Sequence, residues 1–218
     1  CYLTLMKYEA LVNHVGTLET FDLPLLAQAF DESREGLRVQ LARWMKAGRL
    51  IGLRRGMYAL PDAYRRAPLA PARLANLLYR PSYLSGLWAL GFFDLIPERV
   101  VWLTSVTTRA PRHFENPLGV YDYRNLKRSA FFGYRASACF GPEVFLAEPE
   151  KALLDHWHLT PGEWTDERLA EMRYQHAEKI SAEKLRQYAE RFDSPRLLRA
   201  VDRWVTVTRE EEEGTVAL

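Results

Sequence analysis

Residues 31–60, DESREGLRVQLARWMKAGRLIGLRRGMYAL, set a basic amphipathic helix directly before a short hairpin tipped by Arg54, Arg55 and Gly56. Over residues 33–46 the apolar Leu37, Leu41, Trp44 and Met45 recur at the spacing of a helix with about 3.6 residues per turn, so they share one stripe and should face a core. The remaining surface carries Arg34, Arg38, Gln40, Arg43 and Lys46, long side chains whose donors reach phosphate oxygens or base edges from a helix lying in a groove. Ser33 is placed to cap the first turn, Glu35 suits the positive helix end, and Gly48 supplies a left-handed stop.

Beyond that stop, residues 50–53 and 57–60 read as two short strands of alternating polarity, and Gly56 permits the positive φ of a tight turn. Two strands and no more are expected. Such a hairpin is marginal alone in water, so it must lean on the preceding helices through Ile51, Leu53, Tyr58 and Leu60. Upstream, residues 2–15 and 23–30 supply two further helices, the second capped by Thr20 or Asp22. Three helices, a short polar turn at residues 31–33 and an arginine-tipped hairpin spell a winged helix-turn-helix, expected over residues 1–62. The positions assigned to duplex DNA are Ser33, Arg34, Arg38, Gln40, Arg43, Lys46, Arg54, Arg55 and Tyr58.

Charge is concentrated where this reading needs it. Residues 33–66 hold nine Lys and Arg against two acids, whereas residues 1–32 hold one Lys against five acids, in a chain of net charge only +2. A local basic stripe is the footprint of a duplex binder, while a solvated helix face needs no such bias of sign. Arg65 and Arg66 either extend the phosphate-facing surface or are ordinary charges of a connecting segment.

With 218 residues, 48% hydrophobic, the chain is long enough for two modest domains with separate cores. Three prolines within residues 61–71 interrupt regular structure, so residues 63–80 are expected to be a linker or crossing segment. Residues 81–218 then read as a mixed α/β domain with a helical tail, and the whole chain as α/β (α+β). A helix is expected over residues 82–91, strands over 100–106, 120–124 and 144–147, and helices over 149–158, 166–176, 182–192 and 195–205. Glu210 to Glu213 should form a frayed acidic tail, and Trp88, Phe92, Phe93 and Trp102 should build core.

Several chemistries are disfavoured. Asp122, Glu148, Glu150 and Lys151 loosely suggest a metal-dependent nuclease, but that core needs an acid and a lysine one residue apart on a strand, so that both face one metal. Glu150 is adjacent to Lys151, and Pro149 disfavours a central strand. His156 and His158 are two apart and diverge on a helix, and His113 with Glu115 is isolated. Cys1 and Cys139 suggest neither a disulfide framework nor a zinc site. No phosphate loop or nucleophile elbow occurs, so no enzyme activity, cofactor or metal is expected. No apolar run is long enough to span a bilayer and no signal peptide opens the sequence, so no membrane partner and a cytoplasmic location are expected.

The stretch SREGLRVQLARWMKAGRLIGLRRGMYAL, followed by YLSGLWALGFFDLIPERVVWLTSVTTRAPRHFENPLGVYDYR, FFGY and AEPEKALLD, resembles the AbiEi family. These proteins are antitoxins and transcriptional autoregulators of bacterial abortive-infection (type IV) toxin-antitoxin systems. The resemblance extends to about residue 159, and is carried most specifically by RGMYAL at the hairpin, TSVTTR at 104–109 and AEPEKALLD at 147–155. It implies an N-terminal winged helix that binds promoter repeats and a C-terminal antitoxin domain. The functional partner it implies is a nucleotidyltransferase-like toxin, with direct contact left open. It also directs attention to Thr104, Thr107, Thr108, Arg109, Glu150, Lys151 and Asp155 as antitoxin candidates, although Glu150, Lys151 and Asp155 also suit local pairing. The expected function is that of a DNA-binding repressor and phage-defence antitoxin. The alternative is a protein-interaction module whose two domains bind the toxin directly.

Overall fold

The structure is a computed structural model that describes residues 6–139 and 143–216, with side chains described to residue 208. It is mixed α/β and forms two compact units, one up to Pro71 together with Phe114–Gly119, the other comprising Ala72–His113 and Val120 onward.

The first unit runs α1 (Tyr8–Val15), β1 (Phe21–Asp22), α2 (Leu23–Ala29), α3 (Arg34–Lys46), β2 (Ile51–Arg54) and β3 (Met57–Ala59). Residues 2–5 of the expected first helix lie outside the described residues. Asp22 Oδ1 caps α2 by accepting from Leu25 N at 3.0 Å, and Ser33 Oγ caps α3 by accepting from Gly36 N at 3.0 Å, each satisfying a first-turn amide left without a helical partner. Leu11, Val15, Leu26, Leu37, Leu41, Trp44, Leu50 and Leu60 form the shared core. The hairpin is not two strands but part of three: β1 pairs with β3 through Phe21 opposite Tyr58 and Asp22 opposite Met57, giving the order β1-β3-β2. A two-residue strand leaves almost no alternation to read, yet it gives the marginal hairpin a third partner.

Residues 71–78, expected within a linker, instead form α4 (Pro71–Leu78), with Ala72, Leu74, Ala75 and Leu78 buried. Its apolar positions fall on one helical face, and Pro71 stands at the start, where a missing N–H costs nothing. The chain continues with β4 (Ser82–Leu84), α5 (Gly86–Phe92), β5 (Leu103–Thr107), β6 (Arg112–Asn116), β7 (Gly119–Asn125), β8 (Tyr134–Ser137), β9 (Val144–Ala147), α6 (Pro149–Leu159), α7 (Asp166–Glu171), α8 (Ala182–Arg191) and α9 (Pro195–Val216). The sheet order is β6-β7-β5-β4-β9-β8, with β5 parallel to β7, β4 parallel to β9, and antiparallel pairs β4–β5 and β8–β9.

Four expectations change here. Residues 82–91 are not one helix: β4 pairs with β5 from Ser82 opposite Thr107 to Leu84 opposite Ser105, and a positive φ of 58° at Gly86 separates strand from α5. The helix expected over 166–176 ends at Glu171, because Arg173 and His176 adopt left-handed backbone with φ of 47° and 53°. The tail does not fray at residue 210, since the α9 backbone continues to Val216. Trp102 is 58% exposed rather than core, while Trp88, Phe92 and Phe93 are half-buried. Among the described residues no helix is long and apolar enough to cross a membrane.

Candidate nucleic-acid interface

Helix α3 divides cleanly. Leu37 and Leu41 are fully buried and Trp44 nearly so, with the Trp44 ring edge-on to Tyr8 at 5.3 Å. Turned outward are Arg34, Glu35, Arg38, Val39, Ala42, Arg43 and Lys46. Met45, expected on the core stripe, is 36% exposed and reaches β2 instead, its Sδ 3.1 Å from where a Cβ on Gly52 would stand. The exposed face therefore mixes four cationic groups, Arg34, Arg38, Arg43 and Lys46, with the apolar Val39, which is 44% exposed. Arg38 Nη1 lies 3.4 Å from Glu35 Oε2, a pairing between two well-exposed groups that holds the guanidinium loosely.

Two assigned residues fall elsewhere. Gln40 is about 200° around the helix from Arg38. It is half-buried and lines a separate concavity with Lys7, Tyr8, Trp44, Arg49 and Tyr64. Tyr58 is half-buried on the core side of β3, its ring centroid 6.0 Å from Phe21. Ser33 is exposed, but its hydroxyl oxygen already serves as the α3 cap.

At the hairpin, pairing of β2 with β3 is regular at Ile51–Ala59 and Gly52–Tyr58, then shifts so that Arg54 opposes Met57. That irregularity leaves Arg55 and Gly56 as a two-residue turn, with φ of +76° at Gly56 and open space where a Cβ would stand. Both arginines are exposed, and Arg54 Nη1 makes one long contact, 3.4 Å, to the Arg55 carbonyl. The turn is anchored from below: Leu53 is buried and its carbonyl accepts from Asn116 Nδ2 at 3.1 Å.

Two further arginines separate into different roles. Arg65 is not a free cation; its side chain is buried, donating from Nε to Ala67 O and from Nη1 to Leu60 O, both at 2.9 Å, and pairing with Asp62. It fastens the chain that leaves the hairpin. Arg49 is exposed and packs its guanidinium 5.3 Å from the Tyr8 ring, on the Gln40 side of α3. Sequence reasoning passed over Arg49 and Val39, although both lie inside the basic run and Val39 sits at helical spacing with Arg43 and Lys46.

The residues picked out in the second unit form two groups. Thr107 Oγ1 donates to Pro81 O at 2.7 Å and accepts from Arg109 N at 3.2 Å, while the Arg109 guanidinium lies over Tyr79 at 4.3 Å and donates to Arg80 O at 3.1 Å. Thr104 and Thr108 are half-buried. Lys151 and Asp155 are fully buried on α6 and joined to each other, to the Tyr83 hydroxyl and to Ser85 Oγ. Burial drives the Lys151 ammonium below its usual pKa, opposed by Asp155. Glu150 is buried, accepts from Ser181 N at 3.1 Å and lies 3.2 Å from Lys184 Nζ. Asp122 stands apart, beside His113 and Arg124.

Among the described residues, no three His, Cys, Asp or Glu side chains gather as a metal site would require. No protein-family model and no curated protein sequence matches the chain.

Proposed function

We propose that this protein is a DNA-binding transcriptional regulator whose first unit is a winged helix-turn-helix. The observation that carries the reading is one helix with a closed apolar side and an open cationic side, preceding a tight turn that exposes Arg54 and Arg55. In the proposed complex α3 enters the major groove. Arg38 reads a base edge, Val39 offers methyl contact to thymine, and Arg43, Lys46, Arg54 and Arg55 hold phosphates. Gln40 and Tyr58 have no part in it, since one faces a different concavity and the other packs inward.

On the resemblance to the AbiEi family, the second half of the proposal is an antitoxin that also represses its own operon, with a nucleotidyltransferase-like toxin as functional partner. Thr107, Lys151 and Asp155 then act by holding the second unit together, because each spends its polar atoms inside it.

The test is fluorescence anisotropy of the full chain on duplex from upstream of its own gene, against a scrambled duplex of equal length, across a salt series. Sequence-specific binding at moderate salt supports regulation. Equal affinity for both duplexes removes it and favours a module that pairs with proteins. Co-expression with the adjacent gene tests the antitoxin half, and failure to relieve any toxicity would remove it.

A further inference from the structure

A cavity of about 380 Å³ opens in the second unit beside the start of β4, within the range of small-ligand sites. One wall is aromatic: Phe131 and Tyr134 meet at 5.2 Å and 61°, and Phe145, 40% exposed, stands perpendicular to Tyr134 at 6.0 Å. Arg73 and Arg80 also line the cavity. At the lining, Ser82 is 6% exposed, yet its Oγ is buried with no hydrogen-bond partner among the described residues.

That orphan hydroxyl is the telling feature. A buried hydroxyl without a partner has lost its hydration with nothing in return, so such a group at the wall of an open cavity calls for a ligand atom to complete it. The surrounding groups are already built and held. The Asn76 side chain accepts from Phe145 N at 2.6 Å and donates to Phe145 O at 3.4 Å, tying α4 to β9. Arg80 Nε donates to Asn76 O at 3.3 Å, which orients its guanidinium while its terminal nitrogens keep their donors. Arg73 Nη1 donates to Glu143 O at 2.5 Å and so sits fixed at the same mouth.

From this arrangement we infer that the cavity binds a nucleotide, its phosphate held by Arg80, a polar atom bonded to Ser82 Oγ, and its base against Phe131, Tyr134 and Phe145. Planar guanidinium groups match phosphate oxygens in pairs, and aromatic faces accept any base by stacking. All residues of this site belong to the second unit.

The experiment is calorimetric titration of the full chain with the four ribonucleoside monophosphates, their triphosphates, inorganic phosphate and a short 5′-phosphorylated single strand. Saturable binding is expected for at least one nucleotide, stronger than for inorganic phosphate. Arg80→Ala should weaken it about tenfold by removing a charge-assisted hydrogen bond, and Ser82→Ala several-fold. Phe145→Ala should bring nucleotide affinity down toward that of phosphate. Arg80 and Phe145 are exposed enough that both variants should melt like the parent. Binding of the single strand alone, abolished in Arg80→Ala, identifies a strand end as the source of the nucleotide. Absence of binding for every probe at millimolar concentration, or affinities unchanged in both Arg80→Ala and Phe145→Ala, overturns the inference.

Discussion

Lys151 and Asp155 stand one helical turn apart on α6 with no solvent exposure, and the Tyr83 hydroxyl is shared between them, accepting from Lys151 Nζ at 2.9 Å and donating to Asp155 Oδ2 at 3.0 Å. Ser85 Oγ adds a 2.7 Å donor to the same carboxylate oxygen, and the ammonium also faces the rings of Phe192 at 4.6 Å and Phe132 at 5.2 Å. The two charges are thus unequally supported. Without its lysine, Asp155 keeps two hydroxyl donors; without its aspartate, Lys151 keeps one hydroxyl and ring faces.

That asymmetry predicts unequal costs. Asp155→Ala should destabilise the protein by about 3–5 kcal/mol, since it strands a buried ammonium. Lys151→Met should cost less, about 1–3 kcal/mol, because the remaining carboxylate stays hydrogen-bonded. Urea denaturation midpoints compare the two, and equal losses would contradict the unequal support.

His156 makes stability depend on pH. Burial, with help from the Arg168 charge, pushes its imidazole down to about 4, against an ordinary value of 6.5. Between those values the unfolded chain binds a proton that the folded chain refuses, so stability rises with pH and is lost as pH falls from about 6.5 toward 4. His158 is lowered in the same direction, chiefly by burial. The loss attributable to His156 should be on the order of 2 kcal/mol. It is measured by unfolding at a series of pH values, and His156→Leu should flatten the slope across that window.

How much of this was legible in the sequence follows from where each element sits. Helix α3 and its hairpin were readable because apolar spacing, an N-cap serine and turn glycines agree. The two strands missed outright in the six-stranded sheet, β6 and β8, are its two ends. Their segments, RHFEN and YRAS, are largely polar, as edge strands tend to be, and so lack the alternation that marks a strand. Ser82–Leu84 was misread for the opposite reason: all three residues are buried, and a continuous apolar run does not separate strand from helix. The burial of Lys151 and Asp155 could not be read from EKALLD, where an i,i+4 charge pair is the usual pattern of an exposed face. Nor could the cavity beside Ser82, whose walls come from segments far apart in the chain.

Two glycines with similar positive φ should respond differently to substitution. At Gly133, φ is +69° and an added Cβ would lie 2.8 Å from the Tyr188 ring and 3.1 Å from Lys151 Cγ, so Gly133→Ala adds a clash to backbone strain. At Gly56, φ is +76° with nothing within 4 Å. Gly56→Ala should therefore cost about 1–2 kcal/mol from the left-handed backbone alone. Gly133→Ala should cost clearly more, about 3 kcal/mol, as overpacking is added. Thermal melts of the two variants check the order, and a reversed order would mean that the Tyr188 ring moves aside at little cost.

On duplex DNA, the exposed faces of α3 and the hairpin predict a division of labour that affinity alone would not reveal. Removing any one side chain proposed to hold phosphate, by Arg43→Ala, Lys46→Ala, Arg54→Ala or Arg55→Ala, should lower the slope of log K against log salt by about 0.9 and weaken all sequences alike. Arg38→Ala should cost about 1–3 kcal/mol on the preferred site and narrow the gap to scrambled DNA, since it takes away the proposed hydrogen-bonding partner of a base edge. Val39→Ser should act similarly but more weakly, with its effect confined to sites carrying a thymine at the matching step. Gln40→Ala and Tyr58→Phe should leave both slope and preference unchanged, because Gln40 lines the Tyr8 concavity and Tyr58 packs against Phe21. Anisotropy titrations at several salt concentrations measure all of these. A salt slope unchanged in the Arg54→Ala, Arg55→Ala double variant would place the hairpin away from DNA. A loss of preference in Gln40→Ala would show that α3 docks through its other side.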